Sequence, residues 1–243
     1  MFTEIAYTQS TNSSSFQQPE KMQTSFKLAY FVPDGWDIEF LDQDDLNDDG
    51  ELDTVMLLHE RDIKKFKTPD DIDPSEHTNS YQRDTNPRKL RVLFGEGKMW
   101  RLVIDNTNFI PQMTANMDDT QDPFNDVTGG YVATQKGKLI FRLGSFSDSI
   151  DYKIYTFRWQ NDNFTLIGYD TYSHHRYTGD ETDKSYNFLT YREKIITENS
   201  SESENYKPQT IIWKNLKHLP LMTIDKINEG NISEYLKMCG DVD

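Results

Sequence analysis

The chain has 243 residues and a net charge of −15, from 41 acidic and 26 basic residues. This charge argues against nucleic acid and anionic membrane surfaces as partners, because both would repel it. The single cysteine excludes an internal disulfide and a thiolate metal site. No apolar run reaches the roughly 18 residues of a transmembrane helix, so we expect no membrane insertion.

The N-terminal segment is rich in Ser, Thr and Gln and has no apolar stretch resembling a signal peptide. We predict that residues 1–25 form a flexible tether and that residues 26–243 form a single β-rich domain. Two origins fit the tether. It is either what remains of an exported or lipid-anchored protein once its leader is removed, or an ordinary frayed terminus.

Short segments with alternating or continuous apolar residues predict strands along most of the domain. Pro-Asp-Gly, Lys-Gly and Asn-Asp turn signals separate several of them. Long polar loops are expected over residues 61–87 and 106–130. The predicted strands are 36–41, 54–58, 89–94, 99–104, 131–134, 139–143, 152–159, 164–169, 186–190, 194–197 and 210–213.

The resulting fold class is mainly β, with antiparallel sheets of meandering hairpins, long loops and a short C-terminal helical segment. Large rings on both faces of the hairpin over 152–169 predict a central position in its sheet. At the C-terminus, Asn231 followed by Glu234 has the pattern of a capping box, with Asn231 as the N-cap.

One acidic loop, over residues 42–53, has the spacing of a calcium loop. Asp45, Asn47 and Asp49 supply oxygen ligands at alternate positions, Gly50 follows at once for the sharp turn, and Asp53 comes four residues after Asp49. Glu51 would contribute its backbone carbonyl. We therefore predict one Ca²⁺ in this loop, while a solvated acidic turn without metal is the alternative.

The loop departs from a helix-loop-helix hand in two respects. Met56 stands where a bidentate Glu would complete the ligand set, and the flanking segments are strand-like. We expect the missing carboxylate to weaken binding into the range of about 10⁻⁴ to 10⁻³ M, which suits extracellular calcium. A second acidic cluster, around residues 118–126, lacks this spacing and is a weaker candidate for a cation site.

Several segments, taken together in their order, resemble a family of uncharacterised bacterial secreted proteins and lipoproteins. The acidic loop with the strand after it also resembles the calcium loop of FG-GAP (integrin α-type) repeats. The resemblance covers roughly residues 28–238 and implies export, a β-rich fold and one calcium loop. The segments that carry it are 31–36, 45–50, 90–94, 155–160, 164–169 and 186–190.

The resemblance implies location in the periplasm or at the cell surface, with a lipid anchor in the full-length precursor as one form of attachment. We find no nucleophile elbow, phosphate-binding loop or HExxH motif, and predict a non-enzymatic protein. By analogy with other small exported proteins, its partner would be a basic toxin or effector, which its acidity would attract. A carboxylate-dependent hydrolase of cell-wall or glycan material and a purely structural envelope protein are the alternatives.

Overall fold

The computed structural model describes residues 24–67, 83–113, 121–125, 127–199 and 209–240. Within these ranges the protein is mainly β, with three antiparallel sheets and one short α-helix near the C-terminus. The predicted fold class is therefore confirmed. No helix in the described part of the chain is long and apolar enough to cross a membrane.

The described elements are numbered here in chain order. The strands are β1 Thr24–Ser25, β2 Trp36–Asp44, β3 Asp53–Glu60, β4 Phe66–Lys67, β5 Arg83–Asp84, β6 Arg88–Glu96, β7 Met99–Asn106, β8 Tyr131–Thr134, β9 Lys138–Phe146, β10 Ser149–Gln160, β11 Asn163–His175, β12 Glu181–Asn187, β13 Arg192–Glu198 and β14 Thr210–Asn215. The helix, α1, is Glu229–Cys239.

Two large sheets pack against each other. The first has the order β1-β7-β6-β3-β2, the second has the order β14-β13-β12-β11-β10-β9-β8, and β4 with β5 forms a small separate ribbon. One hydrophobic core joins Val55 and Phe94 of the first sheet to Phe141, Phe157 and Leu166 of the second. This shared core holds the sheets face to face.

Aromatic rings fill much of the core, as the high aromatic content of the sequence predicts. The Phe109 ring makes edge-to-face contacts with Phe141, Tyr155 and Phe157, at centroid distances of 4.7, 5.2 and 5.5 Å. Each such pair stabilises the fold by about 0.5–1.5 kcal/mol beyond its buried area. The β10–β11 hairpin lies at the middle of the second sheet, which confirms its predicted central position.

The apolar run in β3 is continuous because both faces of this strand are buried. Leu57 faces the second sheet, whereas Met56 and Leu58 lie in a smaller cluster with Phe31. Phe31 ends the 3-10 turn Leu28–Phe31. This turn therefore covers the face of the first sheet that points away from the second.

Several observed strands are longer than predicted, and one predicted strand runs past the end of the observed one. The sequence predicts a strand over 186–190, whereas β12 ends at Asn187. The Oδ1 atom of Asn187 accepts hydrogen bonds from the backbone N–H groups of Leu189 and Thr190, at 3.0 Å each. The side chain thus forms a local turn that ends the strand.

The predicted helix exists, but its cap is wrong. The N-cap is Asn228, and Asn231 is the third residue of the helix. The Oδ1 atom of Asn228 accepts from the Asn231 N–H at 3.0 Å, and the Oδ1 atom of Asn231 accepts from the Asn228 N–H at 2.8 Å. The second Asn takes the place usually held by Glu, so the capping box lies one turn earlier than predicted.

Sheet structure is present from the first described residue. Thr24 and Ser25, the last two residues of the predicted tether, pair with Arg101 and Trp100 in β7. The rest of the predicted tether, residues 1–23, lies outside the described residues.

A buried ion cluster near the start of β2 connects the first sheet to the segment that precedes β8. Arg88 is 6% exposed and donates two hydrogen bonds to Glu39, at 2.6 and 2.8 Å, and one to Asp122, at 2.9 Å. Glu39 belongs to β2, whereas Asp122 lies in the segment that leads to β8 of the second sheet. The Arg88 guanidinium also lies 5.2 Å from the centroid of the Phe124 ring. The cluster therefore joins the first sheet to the segment before β8.

We expect Arg88→Met to lower the free energy of unfolding by about 2–4 kcal/mol, because two poorly solvated carboxylates lose their cation. Urea unfolding followed by circular dichroism measures the change. Arg158→Met is the matched control, since Arg158 is exposed. Its described hydrogen bonds both go to Gln160 of the same strand. Its effect should stay within about 0.5 kcal/mol, and equal losses in the two variants would contradict the role of Arg88.

Candidate metal centre

The acidic loop connects the paired ends of β2 and β3, where Asp44 lies opposite Asp53. Its backbone adopts the left-handed conformation at Asp48, with a φ of 64°, and at Gly50, with a φ of 87°. These two residues coil the chain tightly. The predicted need for a glycine at position 50 agrees with this backbone, since glycine adopts a positive φ without a Cβ clash.

The predicted side-chain ligands converge within this coil. The two carboxylate oxygens of Asp45 accept from the N–H groups of Asp49 and Gly50, at 3.1 and 2.8 Å. Asn47 accepts from the Asp49 N–H at 3.0 Å and donates its amide to the Asp49 carboxylate at 2.8 Å. The other Asp49 oxygen accepts from the Glu51 N–H at 2.8 Å. The alternate spacing thus brings three side chains into one hydrogen-bonded turn.

Asp53 lies at the base of the loop and is fully buried. One of its carboxylate oxygens accepts from the Leu46 N–H at 2.8 Å, and the other accepts from the Gly95 N–H of β6 at 3.0 Å. Position 95 requires glycine, because a Cβ atom there would lie 2.5 Å from the carbonyl oxygen of Leu52. One carboxylate therefore fastens the loop to the neighbouring strand.

The charge of Asp53 is electrostatically unfavourable in this position. Burial raises the pKa of Asp53 from 3.8 to about 6, against the opposing effect of the hydrogen bonds from Gly95 and Leu46. The negative charges of Asp49 and Asp45 add to the rise. A cation in the loop would offset the repulsion among these three carboxylates.

The chemistry of the donors fits calcium. In the described ranges, no group of three or more His, Cys, Asp or Glu side chains is already arranged to hold a metal. The donor set here also includes the Asn47 amide oxygen and the Glu51 carbonyl. Calcium takes about six to eight hard oxygen ligands, and a carboxylate oxygen that accepts one N–H keeps a further lone pair. Asp45, Asn47, Asp49 and Asp53, with the Glu51 carbonyl, are thus the residues that would hold the ion.

Two further aspartates of the same segment, for which the sequence predicts no individual role, bond to the second sheet. Asp42 accepts hydrogen bonds from both the N–H and the hydroxyl of Thr134, at 2.7 and 3.0 Å. Asp44 accepts from the Gly137 N–H at 3.0 Å. Thr134 ends β8 and Gly137 precedes β9, so these two carboxylates attach the loop region to the second sheet. Their i, i+2 spacing on one strand was the only signal of a shared role.

The contact with Thr134 lowers the pKa of Asp42. Burial alone would raise it, but hydrogen bonds from the backbone of Thr134, the backbone of Gln43 and the Thr134 hydroxyl outweigh burial and hold the pKa below its ordinary value. Asp42 is therefore charged in its contact with β8. Asp42 and Asp53, eleven residues apart on the paired strands β2 and β3, have opposite pKa shifts.

The second acidic cluster gains no support as a cation site. Asp118, Asp119 and Asp126 lie outside the described residues. Asp122 bonds to Arg88 and also accepts from the Phe124 N–H at 2.9 Å, so its charge is already matched. A cation site there stays a prediction.

A cavity of about 540 Å³ lies beside the loop, between the two sheets. The loop and both sheets contribute to its walls, which combine carboxylates, a guanidinium and aromatic rings. The principal lining residues are Asn47, Asp49, Phe94, Arg101, Trp159 and Asp162. Two of the predicted metal ligands therefore also face this cavity.

No protein-family model matches the chain, and no curated protein or solved structure shows significant similarity to it. The resemblance to exported proteins with an FG-GAP-type loop therefore stays a prediction. The case for the site rests on the donors and the electrostatics described above.

Without metal, we expect Asp53 to make the protein less stable as the pH rises. Its folded pKa of about 6 lies above the unfolded value of 3.8, so its stabilising contribution is complete below 3.8 and is lost as the pH rises through about 6. Wild type in chelator should lose up to about 3 kcal/mol more than Asp53→Asn between about pH 4 and pH 8. Urea unfolding at several pH values measures this difference.

The Asn side chain cannot titrate in this range, and its imperfect hydrogen bonding lowers stability equally at every pH. The readout is therefore how the difference between the two proteins changes with pH, which removes the contributions of other titrating groups. A difference that does not vary with pH would contradict the raised pKa of Asp53.

Proposed function

We propose that this protein is an exported bacterial calcium-binding protein without enzymatic activity, which binds a protein partner. One calcium ion in the loop over residues 42–53 acts as a structural clamp. The partner, in this proposal, is a basic toxin or effector against which the protein serves as an immunity or inhibitor protein.

The observation that carries the calcium proposal is the buried Asp53 carboxylate beside Asp45 and Asp49. Burial, with a smaller contribution from the neighbouring charges, raises its pKa to about 6, although two backbone N–H groups donate to it. No basic residue occurs between residues 42 and 53 to balance these acids. A hard divalent cation supplies that balance and suits oxygen donors at this spacing.

A clamp is the role that the surroundings of the loop favour. Asp42 and Asp44 attach β2 to the hairpin of β8 and β9, and Asp53 attaches the loop to Gly95 in β6. An ion that orders residues 45–53 would thus stabilise contacts of both sheets. No step of catalysis is part of the proposal.

Two surface properties support a protein partner. The net charge of −15 attracts a basic protein over long range at low salt. In addition, the edge strand β14 exposes Ile211, Ile212 and Trp213 by 50, 45 and 55%. Large apolar side chains exposed along an edge strand offer a surface for a protein contact. A hydrolase and a purely structural envelope protein stay predictions that no specific observation favours.

Calorimetry with calcium is the direct test. With a dissociation constant of about 1 mM, 10 mM calcium should raise the free energy of unfolding by about 1.4 kcal/mol. The effect should shrink as the pH falls below about 6, because protonated Asp53 cannot serve as an anionic ligand. No heat of binding and no change of melting temperature at millimolar calcium would refute the site.

A matched pair of variants separates a ligand from a nearby charge. Asp49→Asn should weaken calcium binding about tenfold or more, because ligand charge sets the affinity of such loops. Asp48→Asn removes the same charge one residue away, from an exposed side chain, and Asn tolerates the positive φ there. It should change the affinity by no more than about twofold. Asp44 is unsuitable as the control because it bonds to Gly137.

A further inference from the structure

We infer that the cavity beside the acidic loop receives an arginine or lysine side chain of a basic partner protein. The inference deepens the proposed function, on which it rests for the partner being a protein. The cavity itself requires no metal, because Trp159, Asp162, Phe94 and Arg101 line it independently of the loop.

The aromatic wall suits a cation. The indole of Trp159 lines the cavity and is held by edge-to-face contacts with Phe94, at 4.8 Å between centroids, and with Phe164, at 5.2 Å. Tryptophan is the side chain whose face attracts cations most strongly. Because two buried rings hold the indole, little side-chain freedom remains to be lost when a ligand binds.

The same wall already holds one guanidinium. The Arg101 side chain lies 5.6 Å from the centroid of the Phe94 ring, and its Nε donates to Glu96 at 2.5 Å. Arg101 thus contacts one aromatic ring and one carboxylate. An incoming cation would make the same two kinds of contact, with the ring of Trp159 and the carboxylate of Asp162. The Glu96 carboxylate also offsets the charge of Arg101, which limits its repulsion of an incoming cation.

The charge around the cavity selects a cation over neutral or anionic ligands. Asp49 and Asp162 are both exposed and both line it. The loop from residue 45 to residue 53 contains five acidic residues and no basic one, so it stays negative even with a divalent ion bound. A basic side chain would gain from this field, whereas an acidic one would be repelled.

The position of Asp162 is well defined. Asn161 and Asp162 form the two-residue turn between β10 and β11, both in the left-handed conformation, with φ values of 52° and 58°. Two-residue turns of this type are rigid because their twist matches that of the strands. The cavity is largely open to solvent, and its volume of about 540 Å³ provides room for a side chain that enters from a partner surface.

The test is calorimetric titration with a peptide of six arginines, at physiological salt, in calcium and in chelator. Asp162→Asn should weaken binding by about three- to tenfold. Asp148→Asn is the matched control, because Asp148 is an exposed turn residue at the opposite end of the same strand, β10. It removes an equal charge roughly 40 Å away and should leave the affinity within about twofold.

A second pair of variants tests the ring. Trp159→Leu keeps apolar packing against Phe94 and Phe164 and should weaken peptide binding by about fivefold or more. Tyr177→Leu removes an exposed ring just past the opposite end of the β10–β11 hairpin, and it should leave binding unchanged. The two pairs are independent, so a loss of folding in Trp159→Leu would still leave the result for Asp162 to decide.

Equal losses in Asp162→Asn and Asp148→Asn would show attraction by net charge alone and would overturn the inference. Binding of a neutral oligosaccharide, sensitive to Trp159→Leu, in place of the arginine peptide would also overturn it. If calcium fails to bind while Asp162→Asn still weakens peptide binding, the calcium proposal fails alone. If calcium binds and the peptide does not, only the cavity inference fails.

Discussion

The buried carboxylate of Asp53 is the constraint on which the loop region depends. A buried charge is costly unless it is hydrogen-bonded or paired, and Asp53 is satisfied by N–H groups from Leu46 on one side and Gly95 on the other. The bond from Leu46 closes the loop on itself, and the bond from Gly95 attaches it to β6, where the close approach of the backbone requires glycine. Burial, with a smaller contribution from the charges of Asp49 and Asp45, still raises its pKa, so the arrangement that orders the loop also favours a cation there.

The carboxylate charges at the two ends of β2 are balanced in different ways. Near the start of the strand, Glu39 shares the internal cation Arg88 with Asp122, and the cluster links β2 to the segment that leads into the second sheet. At the end of the strand, the acidic loop contains no basic residue. Its link to the second sheet is made instead by hydrogen bonds that Asp42 and Asp44 accept from the β8–β9 hairpin. The Arg88 guanidinium therefore balances the carboxylates near the start of β2, and the proposed calcium ion would balance those at its end.

The metal site and the partner site proposed here share residues. Asn47 and Asp49 belong to the coil that would hold calcium and also line the cavity next to Trp159. An ion that orders these two side chains would therefore also define one wall of the cavity. In physical terms, calcium would lower the conformational cost of binding a basic side chain without touching it.

The sequence by itself determined the fold class, most strands and the candidate ligands, because alternation, turn residues and ligand spacing are local properties. The predicted ends of two elements were wrong, because a single side chain accepts backbone hydrogen bonds there. Asn187 does so at the end of β12, and Asn228 does so at the start of α1. Only the tertiary structure decided that Asp53 is buried against Gly95, that Asp42 binds Thr134, and that Trp159 stands beside the loop. These partners are 42, 92 and about 110 positions apart in the chain. The pairing of β3 with β6 makes the first contact and the packing of the two sheets makes the other two, so no local pattern could encode them.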